Sequence, residues 1–597
     1  MDDKMGWMTR WGRHLSEEPE EQALNEYPRP TMVRSGWQNL NGYWDYCFTE
    51  ARSCPARFDG RIRVPFSPET ELSGVGRQLQ PGECLWYHRT VGCAADLSKE
   101  RVLLHFGAVD QYCEIFLNGS LAGSHMGGYL PFDIDITSYL HEGENELLVM
   151  AEDETDTSYH SRGKQKLKPG GMYYSAQSGI WQTVWMENVP AGYIHKLRIV
   201  PDLDRQEIRI SAECSERMQV KAVVYEGDLA AAKAEFLSGS EGMSLAIPSP
   251  KLWSPKDPYL YRVVLCAGKD RVESYFAMRK CSVLPDKRGI LRFYLNNRPY
   301  LFIGLLDQGY WPESLYTPPS DQAMVQDILM ARQLGFNLLR KHAKVEPERW
   351  YYHCDRLGML VWQDMVNGGS PYKDWFVTYL GTVLSWTPIR VSDRFRGLLS
   401  RKDVEGRDEY RRELADMTER LGNHPCIIAW VPFNEGWGQF DAEKITELLV
   451  HLDPGRLVDQ ASGWFDQGGG DVKSIHNYFR KLKVKPGKRA VALTEYGGYS
   501  WLVKGHSSKE KVYGYRCYES GEALTHGYAG LMRDQILPAL KKGLSALVYT
   551  QLSDIEEEVN GLITYDREVM KMDADTVRQL NRQLWEEFKR VTGKEDA

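Results

Sequence analysis

Residues 423–439 read NHPCIIAWVPFNEGWGQ. Their middle, 427–431, is a short continuous apolar run, the pattern of a strand buried on both faces in a parallel sheet. The run stops in polar Asn434 and Glu435, followed at once by Gly436 and Trp437. In a parallel α/β barrel the C-terminal strand ends carry the chemistry, which makes Glu435 a candidate reactive group. A second run ends the same way: AVALT leads into Glu495 and then Tyr496, Gly497 and Gly498. Either Glu alone reads as an ordinary acid at a loop edge. Two carboxylates at two such strand ends match the requirement of two-carboxylate glycoside hydrolysis.

Working outward from this stretch, apolar runs alternate with helical segments, the βα pattern of a parallel sheet. Eight runs qualify as strands: 300–304, 336–340, 359–363, 427–432, 457–462, 472–476, 490–495 and 545–550. Helices are expected at 320–334, 346–357, 407–421, 441–452 and 527–542. No clear helix separates the fifth, sixth and seventh strands. Residues 285–597 therefore read as a TIM barrel with insertions, the catalytic unit of the chain.

The preceding half is β-rich. Residues 1–190 carry short strands with turn signals, among them Asn118-Gly119, a strong hairpin turn, and imply a jelly roll. A Gly-, Lys- and Ser-rich loop, SRGKQKLKPGGMYYSAQSG, occupies 161–179. Residues 191–284 alternate at period two in IHKLRIVPDL, EIRISAEC, MQVKAVVYEG and YLYRVVLCAG, which fits a small immunoglobulin-like sandwich.

Composition narrows the class. A chain of 597 residues with 42% apolar and 26% charged residues is an ordinary globular multidomain protein. A net charge of −8 gives no electrostatic case for nucleic acid or an anionic membrane. The 18 Trp and 33 Tyr exceed ordinary core needs and lean toward carbohydrate. The N-terminus MDDKMGWMTRWGRHL lacks an apolar signal segment, and the 11 Cys are odd in number and dispersed. Both features lead us to expect reduced thiols and a cytoplasmic location, with Cys113, Cys354 and Cys426 as core fillers. No zinc spacing, P-loop or dinucleotide fingerprint is present, so no cofactor and no metal is expected.

The order jelly roll, immunoglobulin-like sandwich, TIM barrel resembles glycoside hydrolase family 2, the family of β-galactosidases, β-glucuronidases and β-mannosidases. The resemblance runs from about residue 30 onward. It is carried by VDQYCEIFLNG and SGIWQTVWMENV in the first domain. In the barrel it is carried by YLNNRPYLFIGLLDQG, NHPCIIAWVPFNE and LTEYGG. It implies that Glu435 is the general acid/base and Glu495 the nucleophile. Asn434 then binds the sugar 2-hydroxyl. Arg340 and His342 in NLLRKH, Asp364 in VWQDM, and His476 and Tyr478 in IHNYF complete the family's site. Asp307, Trp437, Trp501 and Tyr549 are further substrate-binding candidates, the tryptophans as sugar platforms. Arg340 equally reads as a barrel salt bridge, Asp364 as its partner, and Trp437 and Trp501 as packing. Lys341 and Lys344 are expected to be solvated.

These residues imply a retaining exo-β-glycosidase acting on a terminal β-linked sugar, with a β-galactoside as first choice. A glucuronide, galacturonide, mannoside or arabinoside is the alternative within the family. A non-catalytic carbohydrate-binding protein is the alternative outside enzymes, and the presence of both Glu counts against it. Where the family's glucuronidases carry Asn-x-Lys, EEEVNGLITYDR has Glu558, Val559 and Asn560, so glucuronides are expected to be poor substrates. AQSGIW lacks the acidic residue that serves sodium in the large β-galactosidases. The expected partner is an oligosaccharide or glycoside, with homo-oligomerisation left open.

Overall fold

All eight apolar runs of the C-terminal half form strands of one parallel sheet in the computed structural model, which describes residues 7–384, 387, 390–507 and 509–593. They are β1 (Phe302–Asp307), β2 (Leu338–Lys341), β3 (Leu360–Asp364), β4 (Ile427–Val431), β5 (Leu457–Val458), β6 (Val472–Asn477), β7 (Ala490–Gly497) and β8 (Leu544–Thr550). Hydrogen-bonded neighbours run β5-β4-β3-β2-β1-β8-β7-β6, which is sequence order wrapped into a barrel with one seam. Asp471 bridges that seam: its N–H donates to Val458 O and its Oδ2 accepts from Val458 N, each at 2.8 Å. The seam lies where the sequence shows no intervening helix. Every residue of β1, β2, β3, β4, β7 and β8 is buried, as strands must be when side chains fill the barrel and helices cover it.

The covering helices are α1 (Asp321–Gln333), α2 (Glu348–Leu357), α3 (Val404–Arg420), α4 (Ala442–Leu452) and α5 (Gly521–Leu531). Helix α5 begins earlier than the expected residue 527 because Ser520 caps it, its Oγ accepting from Ala523 N at 3.1 Å. A helix absent from the sequence reading, α6 (Ala574–Thr592), follows β8 and packs Trp585 edge-on against Tyr300. Strand Leu291–Leu295 crosses the N-terminal end of the barrel, where Phe293 packs on Phe302 and Trp362. That plug leaves the opposite end as the open one.

The first domain packs a six-stranded sheet against a four-stranded sheet around Leu40, Trp44, Phe106 and Ile115. Its Tyr112–Leu117 and Ser120–Met126 strands pair through Asn118-Gly119, both with positive φ, the hairpin its dipeptide demands. The second domain packs a three- on a four-stranded sheet built from the four alternating runs and their partners. Cys113, Cys354 and Cys426 are buried and all the described cysteines are free thiols. No helix among the described residues is long and apolar enough to cross a membrane.

The first domain also reaches over to the barrel. Its 161–179 loop arrives at the open end and is held there from both sides. The Arg162 and Gly163 amides donate to Asn367 O at 3.0 and 2.9 Å, just beyond β3. The Gly171 and Ser175 amides donate to Glu557 and Glu556, each at 2.9 Å, beyond β8.

Candidate active site

Glu435 and Glu495 meet at the open end because local irregularities turn both side chains inward. Glu435 takes a left-handed backbone with φ +51°, and its N–H donates to Ser462 O at 2.9 Å. Gly436 follows with φ +78°, where a Cβ would fall 2.3 Å from the Phe465 ring, so only glycine allows the turn. Glu495 lies where β7 shifts register against both neighbours, after Ile475 of β6 and between Leu493 and Tyr496 along β8. Such bulges re-aim side chains beside sites. One oxygen of each carboxylate and a His476 ring nitrogen all lie within 4.8 Å of one another.

Three residues hold the pair. Arg340, fully buried, donates from Nη1 to Glu495 Oε1 at 3.1 Å and from Nη2 to Asn434 Oδ1 at 2.8 Å. Its remaining donors grip Asp364 at 3.0 and 2.9 Å. Tyr478 donates its hydroxyl to Glu495 Oε2 at 2.6 Å, with Thr550 Oγ1 at 3.0 Å behind it. His476 places Nδ1 2.8 Å from Glu435 Oε1 and 3.5 Å from Glu495 Oε2, while its Nε2 meets Ser462 Oγ at 3.0 Å. Because Asn434 spends its carbonyl on Arg340, its amide nitrogen is the end free to donate to a ligand.

The electrostatics bear on Glu495. Burial alone would raise the Glu495 carboxyl; the facing His476 ring, then the Arg340 guanidinium, and the Tyr478 hydrogen bond bring it below the usual carboxylate range. Burial and the Glu495 charge push the Tyr478 hydroxyl far up, so it stays a donor. Burial lowers His342 against the opposing pull of Asp364, whose Oδ2 lies 2.6 Å from its Nδ1. Glu435, His476 and Glu495 are the one trio among the described residues with metal-ligand spacing. Both Glu495 oxygens and the His476 Nδ1 are already committed to Arg340, Tyr478 and Glu435, and the Arg340 charge opposes a cation there. The donor set fits an acid pair better than an ion site.

Of the residues singled out by sequence, Arg340, His342, Asp364, Asn434, His476 and Tyr478 gather with the two Glu in one network. Asp364 has its oxygens taken by Arg340 and His342, so it orients those two rather than facing a ligand. Trp437 is 1% exposed, stacked on Tyr372 at 6.0 Å and tilted on Tyr173, and forms the wall behind His342. Three expectations fail. Asp307 accepts from Lys341 Nζ at 2.7 Å on the outer side of β1 and β2, toward the helices. Tyr549 is fully buried against Tyr496 of β7 and Tyr528 of α5, because alternation along β8 sends Thr550 inward and Tyr549 outward. Trp501 lines a separate groove with Gly521, Thr525 and Met570. Lys341 and Lys344, expected to be solvated, are buried and paired with Asp307 and Glu346.

The sequence reading missed several neighbours. Tyr515 stacks on Tyr478 with ring centroids 3.9 Å apart. Ser462 and Thr550 support His476 and Tyr478. Glu558 accepts from the Tyr174 hydroxyl of the first domain and, at 2.9 Å, from Asn560. The concentration of Gly and Lys in 161–179 was the sequence signal for that wall.

Comparison with known proteins follows this architecture domain by domain. Residues 77–190 match the glycosyl hydrolases family 2 sugar binding domain, 192–279 the family's central domain, and 291–485 its TIM barrel domain. The chain belongs to glycosyl hydrolases family 2. Among family 2 relatives, the β-galactosidase of Vibrio cholerae is 27% identical over 488 residues, 73% of this chain and 44% of that protein. The chain spans about half the length of the curated relatives it matches. Among solved structures, a β-glucuronidase of an uncultured Clostridium has a TM-score of 0.72 at 17% identity, covering 92% of this chain and 99% of that one. A family 2 β-galacturonidase from Eisenbergiella tayi, bound to galacturonate, has a TM-score of 0.68 at 18% identity, covering 93% and 99%. At such identities the structural likeness concerns the fold.

Proposed function

We propose that this chain is a retaining exo-β-glycosidase that removes a terminal β-linked sugar by double displacement. The observation that carries the reading is that one oxygen of Glu435 and one of Glu495 lie within 4.8 Å of each other at the open end of a family 2 barrel, an approach of the close, retaining kind. Retaining enzymes hold their carboxyls about 5–5.5 Å apart, whereas inverting ones leave room for water at about 6.5–9.5 Å. Glu495, kept ionised by Arg340, attacks the anomeric carbon while Glu435 gives its proton to the departing oxygen. Formation of the glycosyl ester removes the charge of Glu495. Glu435, now ionised, then draws a proton from water, which attacks the same carbon and releases the sugar with its β configuration. Donation from Asn434 to the sugar 2-hydroxyl strengthens as positive charge builds on the ring. The 161–179 loop and Glu556–Glu558 wall one side of the mouth, which suits a terminal sugar better than the middle of a chain.

The sugar is a β-linked pyranoside. The Vibrio cholerae relative is named a β-galactosidase, and the fold neighbours are named β-glucuronidase and β-galacturonidase, so the names divide between neutral and acidic sugars. Proton NMR of the first-formed sugar, released from an aryl β-glycoside, tests the mechanism. The β-anomer is expected first. An α-anomer would refute retention, and inertness of every aryl glycoside in a broad panel would favour a carbohydrate-binding protein instead.

A further inference from the structure

Four lysines are buried among the described residues: Lys164, Lys341, Lys344 and Lys571. Lys341 and Lys344 pair with Asp307 and Glu346, and Lys571 pairs with Asp554 at 2.6 Å. Lys164 differs. It is 7% exposed, yet its ammonium has no ion pair and no hydrogen bond among the described residues. It lies over the rings of Tyr174 and Trp437, 5.5 and 5.7 Å from their centroids. The stem of Lys164 is buried while its ammonium, stacked near these two rings, still reaches solvent at the barrel mouth. Where the other three buried lysines are spent on carboxylates, this one presents an unpaired cation at the mouth.

Its position says where that partner belongs. Lys164 sits on the first-domain loop pinned between Asn367 and Glu556–Glu557 at the barrel mouth. Trp437 follows Glu435 by two residues, and its ring centroid is 6.4 Å from that of His342, which shares Asp364 with Arg340. The nearby carboxylate, Glu558, spends its oxygens on Tyr174 and Asn560. Asn560 is in turn bound to Gln551 at 2.8 Å, so the position where a lysine was missed in the sequence serves as scaffold.

We propose that Lys164 is the counter-ion for an anionic group on the terminal sugar, the carboxylate of a β-linked uronic acid or a sulfate ester held in the same place. The proposal rests on the glycosidase reading above and names its substrate class. It also reverses the expectation that glucuronides are poor substrates, which rested on the missing lysine at Glu558-Val559-Asn560.

The test compares aryl β-glucuronide, β-galacturonide and 6-sulfo-β-galactoside with the matching neutral β-glucoside and β-galactoside. Wild-type protein, Lys164→Met and Lys164→Arg are assayed on all five. Wild type is expected to favour at least one anionic substrate over its neutral counterpart, and the favoured substrate identifies carboxylate or sulfate. Lys164→Met is expected to lower that kcat/KM ratio about 10–100-fold, and Lys164→Arg to retain most of it. The melting temperature of Lys164→Met should be no lower than wild type, since a bare ammonium contributes nothing to folding. A wild-type preference for both neutral sugars, or a ratio changed by less than about threefold in Lys164→Met, overturns the proposal. If no aryl glycoside reacts, the glycosidase reading fails, and calorimetric binding of glucuronate and galacturonate decides this one. Binding lost in Lys164→Met supports it; binding absent from wild type or equal in both sinks it.

Discussion

Arg340 and Lys341 are consecutive residues at the end of β2, both cationic and both buried, and they face opposite ways. Arg340 turns into the barrel and holds Glu495, Asn434 and Asp364. Lys341 turns outward to Asp307 and Glu346, beneath the Trp350 ring of α2 at 4.2 Å. The period of two along a strand separates them. In the proposed mechanism the inner charge sits against the carboxylate that forms and breaks the glycosyl ester. The outer charge sits against two buried carboxylates, Asp307 and Glu346, on the helix side of the strand. Burial and ion pairing are therefore shared by both, and only the strand face tells chemistry from scaffold. The contrast has measurable consequences, because substitutions inside should act on rate and those outside on stability.

The largest effect is expected at the inner carboxylates. Glu495→Ala removes the covalent step, and activated leaving groups should not restore it. Glu435→Ala should cost about 10²–10⁴-fold on substrates with poor leaving groups and far less on dinitrophenyl glycosides. With azide present, Glu435→Ala should give the β-glycosyl azide, since azide replaces water at the ester without needing a base. Glu495→Ala should give the α-azide, formed by direct attack from the vacated face. Chromatographic identification of the two azides checks this, and exchanged products would reverse the assigned roles.

The inner and outer faces were not equally legible in the sequence. All eight barrel strands were readable, because an uninterrupted apolar run has one economical use in a parallel sheet. The placement of the two Glu at the open end was readable because each ends such a run. The direction of a side chain at a strand end was not, since bulges and loop geometry decide it. Asp307, Trp501 and Tyr549 were assigned to the mouth and lie elsewhere, while Lys341 and Lys344 were assigned to solvent and lie in a buried charge cluster. Nor was Lys164 legible, for its neighbour Trp437 is distant in sequence and arrives only when the first domain docks on the barrel. A residue's own neighbours along the chain carry no trace of such a meeting.

An intermediate effect should separate Arg340 from Lys341 directly. Arg340→Gln removes a fixed positive charge that, after His476, helps hold Glu495 low, so its carboxyl keeps a proton to higher pH. Because the proposed nucleophile must be ionised, the acidic limb of kcat/KM should move to higher pH, together with a loss of about 10–100-fold at the optimum. Lys341→Met leaves Asp307 without its cation and should cost about 3–5 kcal/mol of folding stability. Its acidic limb should stay where it is in wild type. Paired pH–rate profiles and denaturant melts measure both. A Lys341→Met profile displaced as far as that of Arg340→Gln would erase the distinction between the two faces.

The smallest effects should come from two tyrosines that repeat the contrast without charge. Tyr478 reaches inward and donates to Glu495 at 2.6 Å. Tyr549 points outward, and its hydroxyl makes no well-formed hydrogen bond, with only the Tyr499 amide approaching it. Tyr478→Phe removes one hydrogen bond to a charged acceptor and should lower kcat by about 10-fold, with little change in melting temperature. Without that donor the Glu495 carboxyl also rises, so the acidic limb should follow it upward, by less than in Arg340→Gln. Tyr549→Phe deletes a buried, poorly satisfied hydroxyl, and its stability should change by less than about 1 kcal/mol in either direction. Its kcat and KM should remain within about twofold of wild type, as for a substitution that touches no reacting group. Steady-state kinetics on both variants distinguish the cases. A rise in KM for Tyr549→Phe comparable with the kcat loss of Tyr478→Phe would return Tyr549 to the substrate and show that β8 presents its outer face to the mouth in the working enzyme.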